Sequence, residues 1–198
     1  MNPVARAAIR HCLFTIAAAA VLSMGPGLAS ASAGCTAAPR SACTLPFTPH
    51  KSTFSFFQTG GHDPDDIYEW KWKHGSATTL ASFGSPPATG YAFCVYDASP
   101  RTQPLIANTP DDPSAWTSIR NGWGYLVRGE NAFRVVRLHA GPDGKANAIV
   151  HGNSDTVTPL LPFEPPVVVQ LQTDDAGCWE TDFSAAARTN ATTFKARD

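Results

Sequence analysis

The sequence predicts an all-β protein, a jelly-roll-like β-sandwich of about eight to ten strands, with a closed barrel as the alternative. From Lys51 onward, short runs of β-branched and aromatic residues are separated by Gly, Pro, Asp and Asn, the pattern of short strands joined by turns. No window in this part of the chain sustains a helical period over three turns. Several runs alternate with period two, and that many strands with one apolar face each need a second sheet to cover the first.

The first 33 of the 198 residues read as a secretory leader. Arg6 and Arg10 form a basic start, "CLFTIAAAAVLSM" an apolar stretch too short to span a bilayer, and "ASA" (Ala31 to Ala33) a small-residue cleavage site. No later segment reaches the apolar length of a membrane helix, so no membrane span is expected. Residues 34–50 form a small, Pro-containing tail, and 51–198 the sandwich domain. Cys12 leaves with the leader, so Cys35, Cys43, Cys94 and Cys178 remain, an even number suited to two disulfides in an oxidising compartment. Three pairings exist. The favoured one closes a Cys35–Cys43 loop in the tail and joins Cys94 to Cys178, because both of the latter lie opposite their strand's larger apolar set. "SAGC" also ends as a lipobox does, which makes an outer-membrane lipoprotein acylated at Cys35 the alternative to a secreted or periplasmic protein.

The strands follow in order. "IYEWKWK" places Tyr68, Trp70 and Trp72 on one face and Ile67, Glu69, Lys71 and Lys73 on the other. Because the second set looks solvated, the aromatics turn inward as core, with an exposed aromatic platform as the competing reading. "YAFCVYD" is apolar on both faces and reads as a central strand. "AFRVVRLHAGPDGKANAIVHG" reads as a hairpin turning at "GPDG", with Gly144 supplying a positive φ. In that register His139 faces Ala146 and His151 faces Arg134, so the two histidines do not meet. "PLLPFEPP" holds too many prolines for a central strand and reads as an extended crossing loop. "VVVQLQ" buries Val167, Val169 and Leu171 and turns Gln170 and Gln172 the other way. "CWETDFS" sets Trp179, Thr181 and Phe183 opposite Cys178, Glu180 and Asp182.

Function is less legible than fold. "GGHDPDD" gathers His62, Asp63, Asp65 and Asp66, and clustered carboxylates suit a hard cation such as calcium. The spacing matches no EF-hand loop, and the Gly and Pro residues favour a turn in which Asp side chains bond the backbone. Trp70, Trp72, Trp116 and Trp123 are the candidate ligand-binding residues if the protein is a carbohydrate-binding module. No nucleophile elbow, zinc-protease helix, C-x-x-C or phosphate loop occurs, so no catalytic residue is assigned. A secreted hydrolase would need His62, His74 or His139 to meet a carboxylate. Without the leader the chain holds thirteen basic and sixteen acidic residues, a balance that argues against nucleic acid or an anionic membrane as partner. The expectation is an exported, non-enzymatic binding or structural module with no required cofactor, its partner a polysaccharide or an envelope protein.

The blocks "IYEWKWKHGSATTLASFGSP", "YAFCVYD", "LHAGPDGKANAIVHG" and "VVVQLQTDDAGCWETDFSAAARTNATTFKAR" together resemble a recurrent β-rich domain of secreted bacterial proteins. The resemblance runs from about Asp65 to Arg197. It implies export and a β-rich fold, and it carries over no catalytic residue. Members often hold two further cysteines before a Trp, where this chain has "DDPSAW". They also tend to be Lys-rich in the hairpin, while here Arg137, His139, Asn147 and His151 thin that charge, which counts against a role for a basic face.

Overall fold

The described residues form twelve strands, most with an apolar face that needs covering, and they assemble as two antiparallel sheets. A computed structural model describes residues 34–58, 66–86, 88–128, 133–153 and 161–198. The strands are β1 (Thr53–Phe57), β2 (Ile67–Gly75), β3 (Tyr91–Tyr96), β4 (Ile106–Asn108), β5 (Trp116–Ile119) and β6 (Gly122–Leu126), then β7 (Phe133–His139), β8 (Ala146–Asn153), β9 (Val167–Thr173), β10 (Cys178–Phe183), β11 (Ala186–Thr189) and β12 (Thr193–Arg197). The larger sheet runs β11-β12-β1-β2-β8-β7-β6-β5 and the smaller β10-β9-β3-β4. They do not close into a barrel, and the described residues alone hold two strands more than the upper end expected.

The core is aromatic and sits between the sheets. Tyr68, Trp70 and Trp72 of β2 are fully buried, as their alternation requires. The Tyr68 ring stacks on Phe93 of β3 with centroids 4.7 Å apart, and Trp70 Nε1 donates to Thr181 Oγ1 of β10 at 3.2 Å. Gly75 is required at the end of β2, because a Cβ there would stand 1.9 Å from the Trp72 ring. β3 is buried along its whole length between β9 and β4, which makes it the central strand expected. Residues 161–166 form no strand, and Phe163 anchors this crossing segment in the core.

Several expectations are corrected, the first in the hairpin. The hairpin register is displaced by one residue: His139 lies opposite Asn147, and His151 opposite Val135. The loop is centred on Asp143, whose carboxylate accepts the Ala77 N–H at 2.6 Å, and Gly144 does adopt the positive φ, 74°. A register shift between Phe133 and Val135 then cancels the offset, so that Phe133 lies opposite Gly152.

The disulfides join Cys35 to Cys94 and Cys43 to Cys178, not Cys35 to Cys43 and Cys94 to Cys178. The reason is topological. β9 pairs with both β3 and β10, so Cys94 and Cys178 lie two strand spacings apart, about 9.6 Å. That exceeds the roughly 6.8 Å that a disulfide's Cα atoms span. Cys35 is thereby consumed, and its sulfur is not free for a lipid thioether.

The tail is therefore part of the sandwich. It crosses the outer face of the smaller sheet and buries Gln170 and Gln172 completely, although their alternation pointed to an open face. Arg40 N donates to Gln170 Oε1 at 3.0 Å, Gln170 Nε2 donates to Arg40 O at 2.9 Å, and Tyr96 Oη donates to Thr36 O at 2.9 Å. The tail then extends the smaller sheet, with Thr44 N donating to Cys178 O and Glu180 N to Thr44 O. It ends on the larger sheet, where Phe47 N donates to His74 O.

Candidate binding face

Among the described residues the inner faces of both sheets are committed to the core, and the tail covers Gln170 and Gln172 on the outer face of the smaller sheet while Asp182 and Ala107 stay exposed there; the outer face of the eight-stranded sheet is the broader open surface. The eight strands of this sheet carry seven Lys or Arg residues and a single acid, Glu69. The strands of the smaller sheet carry two acids, Glu180 and Asp182, and no Lys or Arg. Asp97, Glu164, Asp174 and Asp175 lie in the connections of that smaller sheet, where Arg101 pairs with Asp97, and Arg40 of the tail lies over β9. In a chain with 15 basic and 16 acidic residues the strands of the larger sheet are thus predominantly basic.

The pairing registers set the cations in order. Arg197 lies opposite Thr53, Thr53 opposite Lys71, Lys71 opposite Ile149, and Ile149 opposite Arg137. One straight row thus crosses five strands with a cation on every second one. Arg137 and Arg197 are exposed, Lys71 is half-buried and donates to Glu69, and Lys195 and Lys73 stand beside the row. A shallow groove of about 620 Å³ occupies one end of the face, lined by Thr53, Ser55, Phe57, Glu69, Lys195 and Arg197. Lys195 Nζ stands 4.9 Å above the Phe57 ring, a cation–π contact on the groove wall. A smaller depression of about 190 Å³ beside Arg137 and Thr117 occupies the other end. His151 lies next to Glu69 across the β2–β8 pair. Burial pushes its pKa down, Glu69 acts against that, and Arg134 and Lys71 reinforce it.

No family model, curated protein or solved structure matches the chain. The reading of the site therefore rests on its geometry.

The residues singled out from the sequence are not brought together. Trp70 and Trp72 are sealed in the core and cannot serve a surface ligand. Trp116 and Trp123 are half-buried and pack against the core; Trp116 lies between Tyr91 and Tyr125, with centroids 5.1 and 5.2 Å away. The four do not make a platform. Asp66 is buried and accepts from Gln58 Nε2 at 3.1 Å, while His62, Asp63 and Asp65 lie outside the described residues. Among the described residues no cluster of three or more His, Cys, Asp or Glu is arranged to hold a metal, and neither His74 nor His139 hydrogen-bonds a carboxylate. Among them, too, no helix is long and apolar enough to cross a membrane.

Two buried tyrosines are structural. Tyr91 donates to Phe83 O, and burial, then Asp175 and Asp174, pushes its phenol well up. Tyr125 donates to Asp111 Oδ1 at 3.0 Å and is pushed up to about 12, chiefly by burial. The cation row escaped the sequence reading, which counted the thinned hairpin charge against a basic face although Arg137 of that hairpin joins the row. Its signal, charges spaced two apart as in Lys71/Lys73 and Lys195/Arg197, marks the open side of each strand. That spacing does not say which strands become neighbours.

Proposed function

We propose that this protein is an exported, non-enzymatic binding module whose ligand face is the outer surface of the eight-stranded sheet. The carrying observation is the basic character of one face: a protein with thirteen basic and sixteen acidic residues once the leader is removed carries seven cations and one acid on the strands of its eight-stranded sheet. Such a patch raises the local concentration of anionic partners whatever the net charge. Two further features support export. The two disulfides suit an oxidising compartment, and the resemblance of the sequence blocks to a domain of secreted proteins points the same way.

Ion exchange tests the reading. At neutral pH and low salt, a protein of this net charge with an even charge distribution passes through a sulfonate cation exchanger. With the charge gathered on one face it is retained, and Lys71→Gln/Arg137→Gln/Arg197→Gln moves elution to clearly lower salt. Flow-through of the unmodified protein would remove the basis of the proposal.

A further inference from the structure

We infer that the ligand of this face is an extended acidic polysaccharide carrying one carboxylate per disaccharide, laid across the strands along the row Arg197, Lys71, Arg137. The inference rests on the binding-face reading and deepens it. Strands in a sheet stand about 4.8 Å apart, so cations on alternate strands recur about every 9.6 Å. This is comparable to the advance of an extended sugar chain over one disaccharide. Between the cations the row presents Thr53 and Ile149, a hydroxyl and an apolar side chain against which the uncharged sugar of each repeat rests, with Glu69 in the adjacent row. The groove at the Arg197 end adds the Ser55 hydroxyl and the exposed Phe57 ring, a mixture of small donors and apolar surface suited to a polyhydroxylated ring. Charge complementarity selects an anion, and the spacing selects among anions. A duplex nucleic acid strand presents a phosphate about every 3.4 Å, a density to which neutral Thr53 and Ile149 offer no partner.

Glu69 makes the inference sharper. It holds the Lys71 ammonium and is the only acid on the strands of this face, so a bound carboxylate has to compete with it. Removing its charge should strengthen binding of the proposed ligand, the reverse of what loss of a structural ion pair would bring.

The test is calorimetric titration of the oxidised protein with hyaluronate oligosaccharides of increasing length, alongside single-stranded DNA and phosphatidylserine vesicles. Affinity is expected to climb with length until three carboxylates span the row, then level off. Lys71→Gln, Arg137→Gln and Arg197→Gln should each weaken binding by about two- to fivefold, the range for exposed charge contacts, and Glu69→Gln should strengthen it by a similar factor. Near-ultraviolet circular dichroism confirms that each variant is folded. If DNA or vesicles bind as tightly, with the same dependence on the row, the polysaccharide inference falls while the binding face stands. Hyaluronate binding that shows no length plateau, or that ignores all four substitutions, overturns the inference as well. If no probe binds and the sulfonate column does not retain the protein, both readings fall together.

Discussion

Asp97 shows how a single carboxylate organises one end of the sandwich. Its side chain is fully buried. It accepts from Ser99 N and Oγ, Gln103 Nε2 and Glu164 N, and it pairs with Arg101 Nη2 at 2.7 Å. Burial by itself would raise its pKa, but the donors of Ser99, Glu164 and Gln103 outweigh it and hold the carboxyl below its ordinary value of 3.8. A folded-state pKa below the unfolded one contributes stability that is complete above pH 3.8 and is lost as pH falls through the folded value. Asp97→Asn sets an amide N–H against those donors and leaves Arg101 without its carboxylate. We expect a loss of about 2–3 kcal/mol at neutral pH, read as a lower urea midpoint with an unchanged slope. The difference from the unmodified protein should shrink in acid.

Among the elements, the tail does what neither its composition nor its lack of periodicity announces. Its backbone extends the smaller sheet at Thr44, and its two cysteines fasten it to β3 and to β10. The Cys43–Cys178 bridge closes a separation of 135 residues, and loss of a long-range native disulfide costs about 2–5 kcal/mol. In the variant Cys43→Ser/Cys178→Ser, the Glu180 amide, which donates to Thr44 O at 3.0 Å, should exchange hydrogen much faster, while the Val150 amide in the middle of the larger sheet should change far less. Equal acceleration at both sites would mean that the tail stabilises the whole sandwich uniformly and is not a local clasp.

For the whole molecule, the consequence of a predominantly basic face is self-repulsion across it. Raising ionic strength from about 0.01 to 0.15 M shortens the Debye length from about 30 to 8 Å, which screens neighbouring cations such as Lys195 and Arg188, directly opposed across β11 and β12. The melting temperature should rise by about 2 °C over that range. The rise should be smaller in Arg188→Gln/Arg197→Gln; scanning calorimetry at both salt concentrations checks this.

The sequence by itself determined the fold class, the inward face of almost every strand it marked, the hairpin glycine and the crossing loop. Each of these depends on local physics: a period of two, a fixed φ or a missing N–H. Trp70 and Trp72 were legible as core for that reason, since Glu69, Lys71 and Lys73 already claimed the solvent side. Tertiary structure alone decided the disulfide partners, the burial of Gln170 and Gln172, and the row of cations. All three depend on which strands lie side by side. Arg197 and Lys71 are far apart in the chain, and they meet across Thr53 only because β1 inserts between β12 and β2. Net charge sums over the molecule and alternation describes one strand at a time, so neither carries the information that a face is basic. Strand order carries it, because neighbouring strands bring together residues that the chain keeps apart.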